Sequence, residues 1–120
     1  MKNISKRQKI ILYNIINLCY LYAIVAFAYA FIYMVVDLIG LGELYDRTSE
    51  ESNINFLQFL FRHIYFSFVT LTLVGFGDIH PLGLSRLFSI SQALLGYILP
   101  YAIVLNTIIY SPKFFNKIRN

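Results

Sequence analysis

Between Tyr65 and Pro81 the chain reads YFSFVTLTLVGFGDIHP, and the centre of this stretch offers its chemistry through the backbone rather than through side chains. Thr72, Leu73, Val74, Gly75, Phe76 and Gly77 run into Asp78, with two glycines at alternate positions in an apolar context. Glycine adopts dihedrals that a Cβ forbids, so alternating glycines let consecutive carbonyls point the same way. A row of carbonyl oxygens is a ligand for a cation. The rest of the sequence offers no metal-ligand cluster, phosphate-binding loop, nucleophile constellation or nucleic-acid motif. An enzyme is therefore disfavoured, and neither a cofactor nor a nucleic-acid partner is expected.

The stretch resembles the pore signature of the two-transmembrane, bacterial-type potassium channels, in which four copies of a threonine-valine-glycine-tyrosine-glycine loop replace the hydration shell of the ion. The likeness extends past the glycines: Tyr65 and Phe66 stand at the family's paired aromatic positions, Thr70 and Thr72 at its pore-helix threonines, and Asp78 at its outer-mouth acid. It implies a potassium filter lined by residues 72–77, supported by Tyr65, Phe66 and Thr70, with Asp78 and His80 around the outer mouth. The permeant ion would be potassium, and the assembly a homotetramer, because one chain supplies a quarter of each carbonyl ring. Two positions depart from the family. Phe76 lacks the hydroxyl of the commoner tyrosine, and Leu73 stands where the family has a threonine whose hydroxyl helps form the innermost ion site. A potassium-selective pore is the leading reading; a weakly selective cation pore, caused by Leu73, and a non-conducting subunit that modifies another channel are the alternatives. Leucine there removes a ring of hydroxyls from the innermost site and adds bulk at the cavity entrance, so the expectation is that potassium is still preferred but passes slowly, and that Leu73→Thr raises conductance.

These residues need elements to position them, and composition says which kind. Of 120 residues, 58% are hydrophobic and 13% charged, too apolar for an ordinary soluble domain of this size. A bilayer core needs about 20 apolar residues per helix, which leaves room for two or three spans and no separate soluble domain. Regulatory modules would come from other chains. The net charge of +4 is a topology signal, since the basic residues Lys2, Lys6, Arg7 and Lys9 lie at one end and Lys113, Lys117 and Arg119 at the other. Positively charged flanks prefer the cytoplasm. Cys19 is the single cysteine, so no intrachain disulfide exists, and it reads as a small apolar helix residue.

The apolar run from Ile10 to Leu41 is too long for a signal peptide and, as one helix of about 48 Å, overshoots a hydrocarbon core of about 30 Å. Residues 1–17 are read as a basic cytoplasmic or interfacial segment and 18–40 as the outer helix, with its tyrosines and phenylalanines packing on several faces and Asp37 near the watery outer end. Gly40 and Gly42 break the helix. Residues 41–55 follow as a solvated, acidic outer loop carrying Glu43, Asp46, Arg47, Glu50 and Glu51.

By hydropathy alone the stretch after Ile54 could be a third span, yet two cytoplasmic ends require an even number. Arg62 and His63 would also be costly against lipid. Residues 56–81 are therefore read as a re-entrant pore helix followed by an extended return, its helix dipole aimed at the cavity. Pro81, Leu82 and Gly83 turn the chain into an inner helix over 84–111, with Arg86 at the outer interface, and 112–120 form a basic cytoplasmic tail. Gly96 resembles the family's hinge glycine. Pro100 strengthens this physically, because proline cannot donate to the carbonyl four residues back, that of Gly96. The expectation is a single all-α pore domain in the cell membrane: two transmembrane helices flanking a pore helix and filter loop, assembled as a tetramer.

Overall fold

The computed structural model describes residues 5–48, 53–109 and Arg119, without the side chains of 107–109. The expectations placed on Lys2, Glu50, Glu51, Lys113 and Lys117 lie outside the described residues. Three helices dominate: α1 (Lys6–Leu38), α2 (Phe56–Leu71) and α3 (Ser85–Ile109). Between them run two five-residue strands, β1 (Gly42–Asp46) and β2 (Ile79–Gly83). Helices α1 and α3 are long and apolar enough to cross a membrane, and α2 is not. At 1.5 Å per residue, the 16 residues of α2 reach only about 24 Å, so the third apolar stretch falls short of a span.

The helix ends are set by local chemistry. Ser5 and Gln8 form a reciprocal capping box at the start of α1, satisfying amides that have no intrahelical acceptor. From there α1 runs 33 residues without interruption, so no break separates residues 6–17 from the outer helix expected over 18–40. At its far end Gly40 takes φ +75°, the Leu41 amide donates to Val36 O and the Gly40 amide to Asp37 O. This is the left-handed glycine closure of a helix.

The fold is mostly helical as expected, and the segment read as a solvated loop contributes a short strand to it. β1 pairs antiparallel with β2 in the register Gly42↔Gly83, Leu44↔Pro81 and Asp46↔Ile79. Leu44 is buried with Ile79, Tyr33 and Phe66, and Tyr29 and Phe88 pack against this cluster. A single apolar residue among Glu43, Tyr45 and Asp46 was too little alternation to betray a strand, and the burial of Leu44 is what holds it. Pro81, Leu82 and Gly83 correspondingly lie within β2, which ends on Gly83 with φ +65°, and the turn into α3 falls at Leu84. Proline is tolerated in the strand because the sheet has only two strands and both are edges.

Candidate functional site

Helix α2 ends at Leu71, and its last carbonyls turn to the segment that follows. The Phe68 carbonyl accepts from both the amide and the hydroxyl of Thr72, at 3.0 and 2.8 Å. Thr70 O accepts from the Leu73 amide at 3.2 Å, and Val69 O from the Gly75 amide at 3.1 Å. A helix C-terminus leaves its last four carbonyls unpaired; here three of them are capped by donors from residues 72–75. Donors of the segment are thus directed back at the helix, which leaves its own carbonyls to face elsewhere.

The backbone alternates as the glycine spacing led one to expect, and the alternation extends one position further in. Gly77 has φ +78°, Gly75 φ +50°, and Leu73 φ +61°. Among the described residues Leu73 is the only non-glycine with positive φ, a conformation that costs an L-residue about 1–2 kcal/mol. Leu73 therefore differs from threonine in more than a missing hydroxyl. All of residues 72–77 are exposed in the single chain, including Val74 at 55% and Phe76 at 69%.

Phe76 stacks on Tyr65, ring centroids 6.4 Å apart and planes 9° apart, and the Asp78 carboxylate lies within electrostatic reach of the Tyr65 hydroxyl. Asp78 accepts from the Ile79 amide, and its carbonyl takes the Arg47 amide from just beyond β1. Phe66 is buried, edge-on to Tyr33 at 5.2 Å. Thr70 contributes its carbonyl, and His80 is exposed on β2 opposite Tyr45. The structure thus brings Tyr65 and Phe76 together near Asp78, with His80 exposed two residues further on in β2.

Gly96 is where α3 touches the end of α2. A Cβ at this position would collide with the Leu71 carbonyl oxygen, so only glycine permits the approach. Its own carbonyl, deprived of a helical donor by Pro100, accepts the Tyr22 hydroxyl of α1 at 2.6 Å. Gly96 therefore joins all three helices.

Several residues that hold this arrangement were not singled out from the sequence. Tyr33 donates to Gln92 Oε1 at 2.8 Å, Gln92 Nε2 donates to the hydroxyl and carbonyl oxygens of Ser67, and Ser67 donates to Ala26 O. Tyr29 and Ser91 share a hydrogen bond at 3.0 Å. Tyr22, Tyr29 and Tyr33 thus form one face of α1 turned to α3, whereas Phe27 and Phe31 are exposed; the readable signal was hydroxylated rings at spacings of seven and four. His63, read as too costly for lipid, is fully buried inside the chain, its Nδ1 on the Phe59 carbonyl at 2.7 Å and its Nε2 on Asp37 at 3.0 Å. A carbonyl only accepts, so Nδ1 carries a proton. Arg62 reaches Leu44 O of β1.

A short helix that ends against an exposed, alternately left-handed segment, between two longer helices able to cross a membrane, is the architecture of a membrane pore domain. Comparison with known families agrees: residues 10–111 match the family described as "Ion channel", and the chain belongs to that family. Among curated proteins it is similar to Protein LctB of Geobacillus stearothermophilus, 35% identical over 77% of this chain and 68% of the relative. It is also similar to Protein LctB of Bacillus caldotenax, 33% identical over 72% of this chain and 64% of the relative. No solved structure matches the chain significantly.

Proposed function

We propose that the chain is the pore-forming subunit of a homotetrameric, potassium-selective channel of the cell membrane, with its basic flanks cytoplasmic and with potassium as the permeant ion and no cofactor. The observation that carries the reading is the alternation of positive φ at Leu73, Gly75 and Gly77, in a segment whose amides at 72, 73 and 75 are bonded to the α2 carbonyls. Four such segments around one axis would offer stacked rings of carbonyls to a dehydrating cation, and the C-terminal ends of four α2 helices would add negative potential beneath them. Exposed Val74 and Phe76 would be covered by neighbouring subunits. A second reading, a weakly selective cation channel, is favoured by the left-handed Leu73, whose side chain and strain fall at the innermost ring.

Purified protein in liposomes tests both. Potassium flux well above sodium flux is expected; equal fluxes would support the second reading, and absence of both would point to a modulatory subunit. Crosslinking in mild detergent should give a ladder ending at four, and a largest species of two or three chains would remove the basis of the proposal.

A further inference from the structure

Pro100 strips the Gly96 carbonyl of its helical donor, and the replacement comes from a different helix, the Tyr22 hydroxyl at 2.6 Å. Gly96 is buried and Tyr22 half-buried, so this bond lies between α1 and α3 rather than on the surface. A groove between the two helices adjoins it. Ile11, Asn14, Ile15 and Leu18 of α1 and Pro100, Ile103 and Val104 of α3 line this mostly apolar groove of ≈ 290 Å³. Above it α3 is pinned at Gln92 by Tyr33 and Ser67. The turn of α3 that lacks a backbone bond is therefore held from outside, between the part of α3 bonded through Gln92 and the part that lines the groove.

We propose that Tyr22 is a positioning residue for α3: a latch from the outer helix that substitutes for the bond Pro100 removes, and whose release lets the part of α3 below Pro100 move into or away from the groove. In the channel reading proposed above, on which the functional consequence rests, this motion changes open probability and leaves ion preference alone. The latch itself is a statement about helix positions and stands independently of conduction.

The test uses the full chain with Cys19→Ser, spin-labelled at Ile16→Cys and Leu105→Cys, both exposed positions, and diluted with unlabelled chain in liposomes so that only the distance within one chain is read. Tyr22→Phe keeps the ring and deletes the hydroxyl. It should shift the balance between distance populations about twofold to tenfold, as for the loss of one net hydrogen bond. Pro100→Ala returns an amide donor to the Gly96 carbonyl, so in that background Tyr22→Phe should act at least threefold less. A merely structural tyrosine would give equal effects in the two backgrounds, and that result, or an unchanged distance distribution, would overturn the latch. Potassium flux is measured on the same liposomes. Distances that shift as expected in a protein passing no ion would support the latch while removing the pore reading.

Discussion

Residues 72–77 and the helices behind them divide the polarity of the chain between backbone and side chain. The segment is exposed throughout and, Thr72 apart, apolar in its side chains, and its bonds to the end of α2 run through amides and the one Thr72 hydroxyl. Behind it, His63, Ser67 and Gln92 are wholly buried and bond from side chain to side chain or carbonyl. In a bilayer, lipid tails are as apolar as leucine, so helices gain little by burying leucine against one another. Close approach at glycine and hydrogen bonds between helices supply the cohesion instead. The difference teaches that in this chain buried side chains build the scaffold, while the exposed segment is fixed largely through its backbone.

The sharpest way to break that division is at the glycine contact. Gly96→Val places a side chain against the Leu71 carbonyl, and because the obstacle is backbone, the cost should reach about 3 kcal/mol or more, read as a large fall in the thermal midpoint in detergent. Gly96→Ala should already destabilise; an unchanged midpoint would show that α3 stands off α2. Next in size is Gln92→Leu, which leaves the Tyr33 hydroxyl buried without its acceptor and should cost about 1–3 kcal/mol. Adding Tyr33→Phe should recover part of this loss, and simple additivity of the two would deny the coupling.

The segment itself should respond in the opposite sense. Leu73→Gly removes a left-handed side chain and should stabilise the fold by about 1 kcal/mol. Leu73→Thr introduces a β-branched residue at the same positive φ, where such residues are outliers, and should lower the thermal midpoint rather than act as an added hydroxyl. A threonine form more stable than wild type would show that the backbone can change hand there at no cost. Smallest of all, His80→Ala should stay within about 0.5 kcal/mol of wild type, as for an exposed side chain with no hydrogen bond or ion pair among the described residues. A larger loss would place His80 in a contact between subunits.

How much of this was legible beforehand follows from the kind of signal each part leaves. Two spans and a short third helix were readable, because hydropathy and flanking charge act over whole segments. The alternating backbone followed from Gly75 and Gly77, but its extension to Leu73 did not, since no local propensity favours leucine at positive φ. Tyr22, Tyr29 and Tyr33 were taken as packing residues; their hydroxyls could only be assigned partners once α3 was in place. The strand β1 was missed because its one buried residue, Leu44, owes its burial to Ile79 and Tyr33, both more than ten positions away in sequence. Gly96 was singled out as a hinge, and the structure adds why a side chain is barred there.

The β1–β2 pairing also bears on the order in which the chain comes together. Gly42 lies opposite Gly83, 41 positions further on (83 − 42), and all of α2 and the 72–77 segment lie inside the loop that this pairing closes. Contacts of such sequence separation form late, because the entropy of the enclosed loop must be lost before they can reward it. α1 and α3 can each cross a bilayer as independent helices, whereas the ribbon has nothing to pair with until the chain between them has folded back. It is therefore the closing step of the monomer, and it is sterically demanding: a Cβ on Gly83 would stand 2.5 Å from the Leu41 carbonyl, and one on Gly42 2.7 Å from that of Leu82. A chain stalled before this step would present two inserted helices with its outer segment still open.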